Sequence, residues 1–371
     1  MKGWRKFRLG IACITNANSY TPKEKWKFVN YLDTGNITDN KINAIQYIDI
    51  ENEKLPSRAR RKVQENSIIY STVRPKQRHF GIIKNQPDNF LVSTGFVVID
   101  VNESIFDADF LYYLLTQNIV VEKLHTIAEQ SVSTYPSIKP SDIENLEISI
   151  PDIVVQKRIA SILGCLDKKI EQNNMINKNL QAQAQAIYTK KFITDADSSW
   201  PEGKLSDLIE VCYGKDHKKL NDGDIPVYGS GGIMRHADQS LYDQESVLVP
   251  RKGTLNNVMY VNEPFWSVDT TFFTKMKRPN VAKFVFHFLK GKDLASMNAG
   301  SAVPSMTTKI LDAIPLQIPD NQTLSNFEAQ VSPYYEAMAF NNTESENLAA
   351  LRDALLPKLM SGEIDVSAIN L

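Results

Sequence analysis

The groups in this chain best suited to chemistry are cationic, and they come in runs. Lys54, Arg58, Arg60, Arg61 and Lys62 crowd one stretch, Arg74, Lys76, Arg78, His79 and Lys84 the next, and Lys215, His217, Lys218 and Lys219 a third. Further along, Val249-Pro250-Arg251-Lys252-Gly253-Thr254 reads as a strand ending at a glycine turn, which would project two cations from a domain edge. Tyr228-Gly229-Ser230-Gly231-Gly232 is a low-bulk turn through which backbone can approach an anionic group. Such groups can build a polyanion site. Taken singly, each basic run also reads as a solvated loop and the glycine turn as an ordinary hairpin.

Catalytic patterns are scarce. There is no Gly-x-x-x-x-Gly-Lys-Ser/Thr loop and no Asn/Asp-Pro-Pro-aromatic string, and Gly229 to Gly232 does not form Gly-x-Gly-x-x-Gly. Nothing therefore marks a site for a nucleotide or a methyl donor. Asp39-Asn40-Lys41 and Asp216-His217-Lys218 have the Asp-x-Lys spacing of a nuclease metal site, without a second acidic residue clearly placed beside either. Cys13, Cys165 and Cys212 show no CxxC spacing and no histidines cluster with them, so buried thiols are expected and no metal site is.

The elements that must position these groups occur twice. Ser133, Pro136, Ser137 and Pro151 recur as Ser301, Pro304, Ser305 and Pro319, at an offset of 168 (301 − 133). Leu180, Ala182, Ala186 and Lys190 return as Leu348, Ala350, Ala354 and Lys358 in the same register. Upstream, Trp4 and Leu9 answer to Trp200 and Leu205 at an offset of 196 (200 − 4), so the first globular copy is longer by about 28 residues (196 − 168). A repeat this long is a duplicated domain with its helix, not a solenoid unit.

Within the first copy, Ser67–Val73, Gly81–Lys84 and Phe96–Val101 read as strands, and Asp107 caps a helix running to Ile127. The second shows strands at Ser246–Pro250 and Val258–Val261 and a helix over Val281–Leu294. After each closing proline a long amphipathic helix is predicted, Val154–Phe192 and Leu324–Met360, with Pro333 expected to bend or interrupt the second. Val155, Ile159, Ile162, Leu163, Leu166, Ile170, Ile176, Leu180, Ala184 and Ile187 trace one face. At ~1.5 Å per residue such a helix is roughly 55–60 Å long. One long helix cannot bury its stripe alone, so the two are expected to pair antiparallel; packing on their own domains is the other reading.

With 371 residues, 42% of them hydrophobic, the chain can build two or three cored domains. A formal net charge of −1 gives no global attraction for a polyanion, so any such site must arise from local segregation of charge. No apolar run approaches the ~18 residues of a membrane span, and Ile11 to Ile14 is too short for a signal-peptide core. The expectation is a cytoplasmic protein without a membrane contact.

The order globular domain, long helix, globular domain, long helix, closed by Leu351-Arg352-Asp353-Ala354-Leu355-Leu356-Pro357-Lys358-Leu359-Met360-Ser361-Gly362-Glu363-Ile364, resembles the specificity (S) subunit of type I restriction-modification systems. Tyr213-Gly214-Lys215-Asp216-His217-Lys218, Ile225-Pro226-Val227-Tyr228-Gly229-Ser230-Gly231-Gly232, Val249 to Thr254 and Val268-Asp269-Thr270-Thr271-Phe272 follow an order similar to one class of target recognition domain in that family. The first copy departs from it, with Tyr70-Ser71-Thr72-Val73-Arg74 and Val92-Ser93-Thr94-Gly95-Phe96 in the corresponding places. The second long helix also departs, carrying Leu324 where the first has the family-like Gln156.

The resemblance implies an α+β chain in which two mixed α/β recognition domains, 1–152 and 196–320, are separated and joined by two long antiparallel helices, 153–195 and 321–371. Each domain would read one half of a bipartite site in double-stranded DNA. The helices would set the spacing and dock methyltransferase (M) subunits, two being expected, with restriction (R) subunits able to join. S-adenosylmethionine would belong to the M subunit, ATP and magnesium to the R subunit, and no catalytic or metal-binding residue to this chain. The candidate DNA contacts are Ser71, Thr72, Arg74, Lys76 and Arg78 in the first copy, with Tyr70 as a packing residue. In the second they are Lys215, His217, Lys218, Tyr228, Ser230, Gly231, Arg251, Lys252 and Thr254. Ile159, Leu163, Leu166, Ile170, Leu180, Leu348, Leu351, Leu355 and Leu359 are the candidate partner-binding residues. A nuclease built on the Asp-x-Lys triplets, or a helical adaptor that binds no DNA, are the alternatives from other classes.

Overall fold

A computed structural model describes residues 4–131, 135–297 and 305–367, which leaves Ser133, Ser301 and Pro304 of the repeat outside the described residues. The chain divides into two units, residues 1–172 with 344–371, and residues 173–343.

In the first unit, β1 (Arg5–Arg8) and β2 (Cys13–Thr15) lead to β3 (Phe28–Leu32), the hairpin β4 (Ile37–Thr38) and β5 (Lys41–Ile42), then β6 (Gln46–Asp49) and β7 (Ala59–Lys62). Next come β8 (Ile68–Ser71), β9 (Phe80–Ile82), β10 (Phe90–Ser93) and β11 (Phe96–Val101). Helices α1 (Ala108–Thr116), α2 (Asn118–Glu129) and α3 (Pro140–Glu144) precede β12 (Glu147–Ile150). One sheet has the order β2-β11-β8-β9 and a second β6-β3-β10-β7, while β1 and β12 pair as a clasp where the chain enters and leaves. Helix α4 (Ile153–Thr189) then starts and contributes its first turns to this unit.

The expected Asp107 cap is present, its carboxylate accepting from the Phe110 N–H at 2.9 Å. The single helix expected after it is instead broken at Gln117, which is extended (φ −59°, ψ 139°). There Thr116 Oγ1 donates to the Tyr113 carbonyl, Gln117 Nε2 to that of Leu114, and an Arg78 N–H to that of Thr116. Side chains have taken the carbonyls a continuing helix would use. Gln156 is buried at the start of α4, donating to the carbonyls of Ile105 and Pro151 (3.0 Å each) and accepting from the Asp107 N–H (3.0 Å).

The second unit repeats this plan. It comprises β13 (Glu202–Lys204), β14 (Ile209–Tyr213), β15 (Ile225–Gly229), β16 (Gly232–Ala237), β17 (Ser246–Pro250), β18 (Met259–Val261), β19 (Trp266–Ser267) and β20 (Thr271–Met276). Helices α5 (Ala282–Lys290) and α6 (Thr308–Asp312), strand β21 (Pro315–Gln317) and helix α7 (Asn321–Met360) complete the chain. The sheets are β14-β20-β17-β18 and β16-β15-β19, with β13-β21 as the clasp. Equivalent hydrogen bonds recur: Leu9 N–H to Leu146 O in one copy, Leu205 N–H to Ile314 O in the other. The extra length of the first copy enters largely through its β6-β3-β10-β7 sheet, which has four strands where the second copy's equivalent has three. The β4–β5 hairpin lies where β15 turns tightly into β16, and β7 is a fourth strand that the second copy lacks.

Each core is closed by both long helices. In the first unit Ile159, Leu163, Leu359 and Met360 pack with Phe106, Phe110, Leu111 and Tyr70. In the second, Ala184, Tyr188 and Phe192 pack with Phe284, Phe272, Leu324, Phe327 and Val331. The helices also pair with each other, antiparallel as expected. Within the first unit Lys169 meets Glu344 at 3.0 Å and Asp167 meets Arg352 at 2.6 Å. Within the second, Asn341 Nδ2 donates to Asn177 Oδ1 at 2.8 Å and Asn177 Nδ2 to Asn342 Oδ1 at 2.7 Å.

Pro333 does not interrupt α7, which runs unbroken from Asn321 to Met360. A helix-interior proline costs ~3 kcal/mol. Phe327 and Val331 before it are buried in the core, with Tyr334 and Tyr335 after it packed on the same cluster, and that burial holds the helix through the missing hydrogen bond. The cysteines are not uniformly buried: Cys13 is, Cys212 is half-buried, and Cys165 is exposed on α4.

Candidate nucleic-acid interface

In the second unit the predicted loops meet along one rim. Lys215 N–H donates to Ser267 O at 2.8 Å, and Trp266 Nε1 donates to Lys215 O at 2.9 Å. Val268 N–H donates to Tyr228 O at 3.0 Å, and Asn257 Nδ2 to Ser230 O at 2.9 Å. These bonds stitch together residues 213–218, 228–232, 251–257 and 266–270. Two glycines are required by the geometry: a Cβ on Gly214 would collide with the carbonyl oxygens of Ser267 and Val268, and Gly253 has φ +83°.

Arg251 is the most precisely held cation on this rim. Its N–H donates to Thr270 O at 2.8 Å, NH1 donates to Asp269 O at 3.3 Å, and the guanidinium lies 5.4 Å from the Tyr213 ring centroid. Lys215, Lys218, Lys252 and Thr254 are exposed, and His217 is half-buried. Ser230 and Gly231 form the hairpin tip, with Gly231 exposed. Tyr228 is half-buried, its hydroxyl donating to Glu263 at 3.2 Å and its ring packing edge-on against Phe265.

The first unit has the same frame with different side chains. Thr72 N–H donates to Gly95 O and Ile138 N–H to Thr72 O, as Arg251 N–H does to Thr270 O and Met306 N–H to Arg251 O. Thr72 therefore stands at the place of Arg251, Val73 at that of Lys252, and Arg74 at that of Gly253, both of these last having positive φ (48° and 83°). The same bonds equate Thr94-Gly95 with Asp269-Thr270, one residue away from the register of the string comparison.

Several first-unit candidates are already engaged within the domain. Ser71 is buried, its hydroxyl donating to Val73 O at 3.2 Å, because it lies inside β8. Thr72 Oγ1 is spent on Gly95 O at 2.9 Å. Arg78 is locked by Asp39 (2.6 Å) and Asn118 (3.0 Å), and Lys76 is paired with Glu122 at 2.9 Å. Arg74 remains exposed, over the Tyr135 ring at 5.7 Å. Tyr70 packs inside, as expected, stacked on Phe80.

Among the helix candidates, Ile159, Leu163 and Leu359 are buried in the first unit's own core, so they cannot receive a partner. Leu166, Ile170, Leu180, Leu348 and Leu355 are half-buried, and Leu351 is exposed. Each Asp-x-Lys aspartate is used by the chain itself, Asp39 on Arg78 and Asp216 on the Lys218 N–H at 3.1 Å. Among the described residues no three His, Cys, Asp or Glu converge as a metal-binding group.

Two features escaped the sequence reading. Lys283, almost fully buried, meets Glu245 at 3.0 Å and Glu328 at 2.5 Å. One turn on, buried His287 meets Gln185 (2.7 Å) and Tyr335 (2.9 Å), and burial lowers its pKa to about 4. This knot ties α5 to the parts of α4 and α7 in the second unit. The other feature is the asparagine layer at Asn173, Asn177 and Asn341, where the 3–4 spacing of the apolar stripe continues with polar residues; extending that spacing through them would have revealed it.

With this geometry in view, comparison with known proteins is decisive. The family described as the type I restriction modification DNA specificity domain matches residues 1–182 and again 197–344. The chain belongs to this family. Its relatives include the HindI specificity subunit of Haemophilus influenzae, 24% identical over 98% of this chain and 100% of that protein. The MjaIX specificity subunit of Methanocaldococcus jannaschii is 23% identical over 95% and 92%. The crystal structure of the type I restriction-modification S subunit from M. genitalium shares the fold, with a TM-score of 0.58, 18% identity and 96% coverage of each chain. The two matches fall on the two globular copies, and the cationic rim of the second is a candidate DNA contact.

Proposed function

We propose that this chain is the DNA-specificity subunit of a type I restriction-modification complex, with residues 1–152 and 196–320 as two readers of a bipartite duplex site. The observation that carries this is the repetition of one frame, in a chain whose family is defined by DNA specificity, with the turn Asp269-Thr270 holding Arg251 on an exposed rim. Phosphate neutralisation and base-edge reading need such oriented, uncommitted cations. Arg251, Lys252, Lys215, Lys218, His217, Ser230, Gly231 and Thr254 serve the second half-site, and Arg74 the first.

The chain itself is non-catalytic in this reading. Methyl transfer belongs to M subunits with S-adenosylmethionine, two of them docked on the helices, and cleavage to R subunits with ATP and magnesium. Leu351, 47% exposed, is a docking candidate, as are the half-buried Leu166, Ile170, Leu180, Leu348 and Leu355. Helix segments 153–195 and 321–371 set the spacing: the 37 residues of α4 span about 55 Å, on the order of fifteen base pairs. No described helix is long and apolar enough to cross a membrane, and the complex acts on cytoplasmic DNA.

The test is methylome sequencing of a host carrying the chain with its M subunit. The expected result is one interrupted motif that disappears when this chain is deleted. Methylation that is unchanged without the chain would overturn the proposal.

A further inference from the structure

The first unit lacks the two cations that the second presents, since Thr72 and Val73 occupy the places of Arg251 and Lys252. It has instead the strand β7, Ala59–Lys62, which the second copy lacks, preceded by Arg58. The geometry points to Arg58, on the turn equivalent to the one that holds Arg251, as a cation that contacts a DNA phosphate at the first half-site; this rests on the DNA-reading role proposed above.

Both arginines are anchored on the same turn residue. In the second unit Arg251 NH1 donates to Asp269 O at 3.3 Å. In the first, Thr94, the equivalent of Asp269, donates its N–H to Arg58 O at 2.8 Å. One arginine is held there by its guanidinium and the other by its main chain.

The strand behind Arg58 is fixed on both sides. Ala59 pairs with Ser93 and Arg61 with Val92 on β10. On the other side, Tyr20 N–H donates to Arg60 O at 2.8 Å and Lys62 N–H to Asn18 O at 3.1 Å. Arg58 leaves this strand at the turn and is exposed.

Several of its charged neighbours are already paired, and Arg60 and Arg61 are half-buried. Lys62 is paired with Glu24 and lies 5.1 Å from the Trp26 ring. Lys76 is bound to Glu122, Arg78 to Asp39 and Lys84 to Asp109. Arg58 makes no ion pair among the described residues. Arg74 lies on the other side of the same turn, because Gly95 O accepts from both the N–H and Oγ1 of Thr72, two residues before it. The pair of arginines thus flanks Thr94-Gly95. The first unit, without charge at the places of Arg251 and Lys252, has an additional strand whose leading residue supplies a cation on the same turn.

The experiment uses the full chain assembled with its M subunit and a duplex carrying the methylated motif, with affinity measured across a salt series. Arg58→Ala is expected to weaken every duplex alike and to reduce the salt slope by about one. The loss of affinity between 50 and 200 mM salt then shrinks about fourfold relative to the parent. Arg58→Lys should retain the slope, and Lys62→Ala should leave it unchanged. A parental slope for Arg58→Ala, relaxed preference at a single base pair, or an equal effect from Lys62→Ala would each overturn the assignment. Failure of the DNA-reading role looks different: the parent complex would show no preference for its motif, and Arg251→Ala would be silent as well.

Discussion

Replacing Arg251 by alanine removes a guanidinium that the second unit has already oriented. Its intramolecular contacts are one cation–π approach of 5.4 Å to Tyr213 and one long hydrogen bond of 3.3 Å to Asp269 O. These are worth about 0.5–1 and 0.5–1.5 kcal/mol, so folding loses about 1–2.5 kcal/mol, against a typical domain stability of about 5–15 kcal/mol. The domain should remain folded. On DNA, a bidentate arginine contributes ~1–3 kcal/mol of discrimination at one base pair, which is about 5- to 150-fold in Kd. The assay is competition binding of the S–M complex against duplexes in which each position of the second half-site is varied in turn. Arg251→Ala should flatten the preference at one position and leave the others, including the whole first half-site, as in the parent. Arg251→Lys keeps the charge but loses the planar fork, so it should restore overall affinity more than discrimination. An Arg251→Ala complex with the parental preference at every position would refute the placement of this rim on DNA.

Further outcomes follow from the same geometry. The isolated chain with S-adenosylmethionine and DNA should transfer no methyl groups until an M subunit is added, and turnover by the chain alone would contradict the non-catalytic assignment. Seven residues inserted after both Asn174 and Asn342 keep the 3–4 stripe in phase, and should lengthen the unread spacer by about three base pairs (seven residues at ~1.5 Å each); a spacer unchanged in the methylome would remove the helices as the ruler. Exchanging residues 200–319 for the same domain of a relative should change one half of the motif only, and a change in both halves would show a single reading surface. His287, with its pKa lowered from 6.5 to about 4 by burial, is neutral in the folded protein, so stability is fully present above pH 6.5 and falls as pH drops from there towards 4. The loss by pH 4 is about 3 kcal/mol for this group, and His287→Gln should flatten that part of the melting-temperature profile; an identical profile would rule His287 out.

The long periodicities of this chain were legible in its sequence. The 168-residue offset, the matching Trp4 and Trp200, the two amphipathic helices and the Asp107 cap depend on local spacing or on comparison of one copy with the other, and a linear string carries both kinds of information. The Val249 to Thr254 turn was legible for the same reason, since glycine and strand-forming residues impose their backbone preferences locally. What the sequence could not decide was where each side chain's partner would come from. Ser71 and Arg78 look as available as Lys252 in the string, and only the fold buries the first in β8 and brings Asp39 and Asn118, each about forty residues away, onto the second. Likewise the stripe through Ile159 and Leu163 predicts burial without saying against what; tertiary packing gives those residues to the first unit's own core and leaves Leu351 exposed. Pro333 shows the same limit from the other direction. Its local penalty is readable from the residue type, but the burial that outweighs it comes from Phe327, Val331 and Tyr335 packing on residues far along the chain. Commitment of a charge and burial of a face are properties of non-local neighbours, and in this protein they decide which cations remain for a ligand.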